Sequence, residues 1–155
     1  MKRQPLRPPD VRVFKTLYAL GLGPLVGRLV LLLTTTGRKS GLPRMTALQY
    51  EEIDGAIYLG SSRGTRADWF QNLVANPCVS IRVKSRQFSG KAEAVTDPAR
   101  IADFLELRLQ RHPRMIGAML RSEGLSARPS RAELEAYAGK LAIAIIRPVQ
   151  SGETA

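Results

Sequence analysis

Three neighbouring cations, Arg38, Lys39 and Arg44, are the side chains whose type and spacing best suit chemistry, and that chemistry is the holding of an anion. They stand in the run Thr34-Thr35-Thr36-Gly37-Arg38-Lys39-Ser40-Gly41-Leu42-Pro43-Arg44, directly after the apolar stretch Leu29 to Leu33. Glycines bounding such a turn admit positive φ and close approach, so backbone N–H groups and fixed charges can converge on one point. The ligand that fits carries phosphate or carboxylate. A basic turn that merely faces water is the plainer alternative, because most charge runs do.

The remaining residues narrow the chemistry further. His112 is the sole histidine and Cys78 the sole cysteine, so neither a multi-histidine metal site nor an internal disulfide is available. The sequence offers no Ser/His/Asp set and no paired carboxylates at helical spacing in its strand region, and Cys78, after Asn76-Pro77, reads as buried filler. His112 beside Pro113 reads as a helix end, where a cation is favourable. A net charge of +11 calls for an anionic partner: a polyanionic cofactor, a membrane surface or nucleic acid. No nucleic-acid partner is expected, since Trp69 alone, with Tyr and Phe on apolar faces, gives no stacking platform among the basic side chains.

The surrounding elements must position the turn. Residues 1–28 comprise a basic, proline-rich opening and an amphipathic helix with Val11, Phe14, Leu17 and Tyr18 on one face, broken by Gly21, Gly23, Pro24 and Gly27. Lys15 and Arg28 leave a charge-free run too short to cross a bilayer, so a cytoplasmic protein is expected. That helix either caps its own core or makes peripheral contact with the cytoplasmic face of a membrane.

Leu29 to Thr35 is expected as a buried strand. Met45 to Glu51 alternates in period two and returns through Asp54-Gly55 as Ala56 to Ser61, a hairpin. Thr65 to Asp68 has capping-box spacing and opens a short helix bearing Trp69, Phe70, Leu73 and Val74, which Asn76-Pro77 ends. Val79 to Lys84 and Gln87 to Thr96 form a second hairpin about Ser85-Arg86. Asp97-Pro98 opens a helix facing inward through Ile101, Phe104, Leu105 and Leu109. Met115 to Ser122 forms another, stopped by Gly124, and a capping box at Ser130 to Glu133 opens a third that ends at Gly139. Leu141 to Ile146 is a final buried strand, and Gln150 to Ala155 should fray.

One domain, 1–155, is therefore expected, with barrel strands and one inserted helix over 29–96, a helical segment over 97–140 and a closing strand over 141–148. Meandering antiparallel strands joined by a distant terminal strand avoid an exposed edge, which favours a small, mainly β barrel with flanking helices.

Two long motifs, Leu33 to Arg44 and Trp69-Phe70-Gln71-Asn72-Leu73-Val74-Ala75-Asn76-Pro77, resemble the deazaflavin-dependent nitroreductase and quinone reductase family in their order and approximate spacing. The resemblance runs from about Leu31 to Thr96 and resumes weakly at Ile143 to Pro148. It implies a split β-barrel of the flavin-reductase and pyridoxamine-phosphate-oxidase kind. Such a barrel would bind the 8-hydroxy-5-deazaflavin coenzyme F-420 and pass its hydride to a quinone, a nitroaromatic or another electron-poor small molecule. It also implies that Arg38, Lys39 and Arg44 hold the phosphate of the coenzyme tail, in agreement with the charge argument. Main chain at Met45, Thr46 and Ala47, and in the loop Gly60, Ser61, Ser62, Arg63 and Gly64, would lie against the ring. Trp69 and Asn72, on one side of their helix, would approach the cofactor; packing under the barrel and satisfying loop backbone are their structural alternatives. No side chain is assigned a catalytic role, since the coenzyme carries the hydride. FMN is the alternative cofactor, and analogy with other split barrels raises a homodimer. The stretch between Ser62 and Trp69 is shorter than in the best-known nitroreductases. Only Tyr137 stands where the family's activating enzymes use tyrosines, so that role is not transferred.

Overall fold

The computed structural model describes residues 30–150. Its strands are β1 (Leu31–Thr36), β2 (Pro43–Leu48), β3 (Tyr50–Ile53), β4 (Ala56–Ser61), β5 (Cys78–Val83), β6 (Arg86–Val95) and β7 (Ala142–Pro148). The helices are α1 (Asp68–Ala75), α2 (Pro98–Arg111), α3 (Pro113–Ser122) and α4 (Arg131–Ala138), with a 3₁₀ turn at Gly64–Arg66. The expected N-terminal helix, its membrane contact and the tail past Gln150 lie outside the described residues. Among the described residues, no helix is long and apolar enough to cross a membrane.

All seven strands join one antiparallel sheet in the order β2-β1-β5-β6-β7-β4-β3. The opposite edges, β2 and β3, are consecutive in the chain with Gln49 alone between them. The sheet must therefore curl until its margins meet, yet no ladder joins β2 to β3 or β4. This corrects the single strand expected over Met45 to Glu51: β2 pairs with β1 in the register Leu31↔Leu48 to Thr36↔Pro43, and only β3 forms the hairpin with β4. Asp54 and Gly55 supply that hairpin's two left-handed residues, with φ of 50° and 79°. The second hairpin turns at Lys84-Ser85, one residue earlier than expected, with Val83 opposite Arg86. The terminal strand β7 runs between β6 and β4, bridging the two halves of the sheet.

Two apolar clusters hold this arrangement. Leu31, Leu33, Ile57, Leu59, Ile81 and Val83 fill the curl, and Trp69, Phe70 and Leu73 of α1 pack into the same cluster. On the other face, Ile143 and Ile145 of β7 bury against Ile101, Phe104 and Leu105 of α2, Ile116 and Leu120 of α3, and Leu134 of α4. Each fully buried side chain of this size stabilises by about 1.5–3 kcal/mol relative to exposure.

Capping departs from expectation at three points. Thr65 and Asp68 form no box, because Asp68 opens α1 without a side-chain cap and turns its carboxylate to Arg38. Ser130 accepts from the Glu133 N–H at 3.2 Å, but the Glu133 carboxylate takes the Ser126 N–H and hydroxyl instead of closing the box. Gly139 ends α4 at φ −61°, so no left-handed cap forms there. Asp97 caps α2 as expected, accepting from Ala99 N–H at 3.2 Å. Cys78 is exposed at the start of β5, which overturns its reading as core filler.

Candidate active site

The cationic turn is the β1–β2 connection. Gly37 N–H donates to Leu42 O and Gly41 N–H to Gly37 O, both at 2.8 Å, and Gly41 has φ +69°. A Cβ on Gly37 would stand 2.7 Å from Ser40 Oγ and 3.1 Å from the Leu42 carbonyl oxygen, so a side chain there would crowd the folded-back turn. Arg38 is then tied to α1: its main-chain N–H and Nη1 donate to Asn72 Oδ1 at 3.2 and 2.8 Å, and its Nη2 to Asp68 Oδ1 at 3.0 Å. Asn72 is buried, and its Nδ2 donates to Thr35 Oγ1 at 3.3 Å. Arg44 Nη2 reaches Ser40 Oγ at 3.4 Å.

These groups line a cavity of 420 Å³ with Lys39, Thr46 and Trp69. It continues through Thr46, Asp68 and Trp69 into a second hollow of 490 Å³, lined by Ala47 and Leu48 of β2 on one margin and Gly60, Ser61, Ser62 and Arg63 on the other. That hollow is the split of the barrel. Ala47, Leu48, Gly60, Ser61 and Ser62 are shared in turn with a third space of 290 Å³, a chamber walled by Ile101, Phe104, Leu105, Met119, Tyr137 and Leu141. The three form one groove with a cationic end, a waist bounded by two sheet margins, and an apolar end.

Of the expected site residues, Arg38, Lys39, Arg44, Thr46, Trp69 and Asn72 gather at the cationic end, and Ala47, Gly60, Ser61, Ser62 and Arg63 at the waist. Met45 and Gly64 line none of the three spaces. Gly64 is buried at φ +61°, where a Cβ would meet Lys140 O at 2.8 Å, and its own carbonyl accepts from Ser61 Oγ at 2.7 Å. Its task is to shape the loop. Asn72 borders the cavity, but its carboxamide positions Arg38. Asn76, at the end of α1, accepts from Cys78 N–H at 3.1 Å.

Sequence reasoning missed Asp68, among the described residues the one carboxylate lining the cationic end, because its spacing from Thr65 read as a cap. It also read Ile101, Phe104 and Leu105 of α2 as an ordinary core face, although they wall the chamber. Burial pushes the Tyr137 phenol above the usual tyrosine range, and the Glu123 carboxylate adds to the shift. Beside the chamber, the buried Glu51 of β3 receives Arg108 Nε at 3.3 Å, Arg111 Nη1 at 3.2 Å and His112 Nε2 at 2.9 Å, clamping the end of α2 to the sheet edge. His112 thus sits at the expected helix end, between α2 and α3.

A family model for F420H(2)-dependent quinone reductase matches residues 11–115, which takes in the turn, both margins of the split and α2. The chain belongs to this family. A Mycobacterium tuberculosis protein, F420H(2)-dependent quinone reductase, is 40% identical over 68 residues, covering 42% of this chain and 46% of that protein. The chain thus spans about half the length of the curated relatives it matches. Among solved structures, an F420-H2 dependent reductase superposes with a TM-score of 0.53 at 23% identity, covering 77% of this chain and 95% of the other. A pyridoxamine 5'-phosphate oxidase-related, FMN binding protein from Nostoc punctiforme does so at 0.52 and 17%, covering 93% and 82%. The fold is the split β-barrel. Met119, Tyr137 and Leu141, the chamber's far wall, lie beyond the family match.

Proposed function

We propose that this family member binds reduced deazaflavin coenzyme along the groove and reduces a quinone, or a comparable electron-poor aromatic such as a nitroaromatic, in the apolar chamber. The observation that carries this reading is the continuity of cationic turn, open split and apolar chamber. The donor set suits an elongated anionic redox group. Arg38 and Arg44 offer forked donors to phosphate oxygens, and Lys39 adds a point charge. At the waist Gly60 has no side chain and Ala47 only a methyl, so main chain from both margins can meet a flat ring.

When bound, the reduced deazaflavin supplies a hydride. The chain's own residues supply position and environment. Asn72 and Asp68 fix the direction of Arg38, and Trp69 walls the junction between tail and ring sites. Fixed backbone dipoles at the waist favour charge on the ring edge, because they need no reorganisation as charge develops. Ile101, Phe104 and Leu105 keep water from the space beside it.

The deciding experiment is titration of the full chain with reduced and oxidised coenzyme, followed by a screen of quinones and nitroaromatics for reoxidation. Saturable binding and quinone-dependent reoxidation are expected. Each charge-assisted contact contributes about 1.5–3 kcal/mol, so replacing Arg38, Lys39 and Arg44 together by Gln should cost more than about 3 kcal/mol of binding. Unchanged affinity in that triple variant, or saturation by FMN with no response to deazaflavin, overturns the reading.

A further inference from the structure

Resting on the proposed function, we infer that Arg108 is a catalytic residue of the acceptor chamber, stabilising the negative charge that the acceptor carries once it has been reduced. Among the described residues, Arg108 is the one formally charged residue lining the chamber, beside walls such as Ile101, Phe104, Leu105 and Met119. Its side chain is 11% exposed. Nε is directed to Glu51 and Nη2 to Gln49 Oε1, both at 3.3 Å, while Nη1 has no hydrogen-bond acceptor among the described residues. The guanidinium carbon lies 5.8 Å from the centroid of the Phe104 ring, another chamber residue, which keeps the cation against the chamber wall.

The pairing with Glu51 does not cancel this charge. Two guanidinium groups, of Arg108 and Arg111, face a single carboxylate, which leaves a surplus of one positive charge before His112 is counted. Glu51 is already met by Arg111 and His112, so its neutralisation does not require Arg108. A surplus cation beside an apolar space is costly unless an anion shares that space. The acceptor becomes such an anion. In the overall reaction the reduced deazaflavin, when bound, would supply one hydride, from a C–H bond that breaks, and would release one proton to solvent. A quinone takes the hydride, with its two electrons, and forms an O–H bond; its other oxygen is left as O⁻ until water supplies the last proton. A fixed cation in a water-poor space lowers the energy of that O⁻ far more than it does that of the neutral quinone.

The test uses two probes and a small set of substitutions in the full chain. Calorimetry without coenzyme measures binding of menadione, a neutral naphthoquinone, and lawsone, a hydroxynaphthoquinone that is an enolate at neutral pH. Arg108→Gln should weaken lawsone by about tenfold or more and leave menadione within about twofold, whereas Arg108→Lys should keep most of the lawsone affinity. In turnover, Arg108→Gln should lower kcat for menadione by about 100-fold, the cost of a lost oxyanion donor, with the coenzyme Kd unchanged. Glu51→Gln, which removes the opposing charge, should tighten lawsone and so keeps the test open if the Arg108→Gln variant does not fold. Equal losses for both probes, or none for lawsone, overturn the assignment. Failure of the wild-type chain to bind deazaflavin overturns the proposed function instead, and the probe pair still decides whether Arg108 holds an anion.

Discussion

Asn72 Oδ1 receives both the main-chain N–H and the Nη1 of Arg38, at 3.2 and 2.8 Å, so one buried carboxamide fixes both the path and the aim of the cationic turn. Asn72→Ala removes these bonds together with the one to Thr35. A loss of about 1–3 kcal/mol in urea unfolding is expected, along with weaker coenzyme binding. Coenzyme affinity equal to wild type would show that Arg38 finds its place without Asn72.

Asp68 is the counter-charge at the same end. It is 82% exposed and 3.0 Å from Arg38 Nη2, so it competes with any anion that arrives there. Asp68→Asn should tighten an anionic ligand by about 0.5–1 kcal/mol, roughly two- to fivefold, at low salt, and the gain should shrink as ionic strength rises. Titrations at two salt concentrations check this, and weaker binding in the variant would mean that Asp68 orients Arg38 more than it opposes the ligand.

Gly64 combines φ +61° with a hypothetical Cβ 2.8 Å from the Lys140 carbonyl. Gly64→Ala should cost at least about 1–3 kcal/mol and lower Tm by about 5 °C or more, because backbone strain and the clash act together. It should also disturb the waist, since the strained loop would carry the carbonyl that accepts from Ser61 Oγ out of place.

The Tyr137 phenol is raised above the ordinary value of 10.0, by burial first. The folded state therefore holds this proton more tightly than the unfolded one. Its contribution to stability is complete below pH 10.0 and is lost as pH rises through the higher folded value. Ultraviolet titration should show one late phenol that disappears in Tyr137→Phe, and a late phenol that persists in the variant would belong to another tyrosine.

Local chemistry was legible in the sequence wherever one residue type dictates backbone geometry. Asp54-Gly55 marked its hairpin, Asp97-Pro98 opened α2, and Gly37 with Gly41 bounded the turn. The break at Gln49 was not legible, because the period-two alternation runs through it without glycine or proline and only tertiary pairing divides the strand. Asp68 was misread because a helix cap and an ion pair to a residue 30 positions away share one local pattern. The α2 wall of the chamber was misread for a related reason: an apolar stripe looks the same whether it meets packed side chains or an open space. Arg108, Arg111 and His112 stood within one helical turn, but nothing in the sequence joined them to Glu51, 57 residues away from Arg108.

Gln49 also has a mechanical meaning. With a single residue linking the two margins of the sheet, whatever wedges into the seam between them pulls on both at once, and the linking peptide sets how far they can part. Bulkier guests must therefore find their room on the helical side of the seam, in the space walled by Ile101, Phe104, Leu105, Met119 and Tyr137.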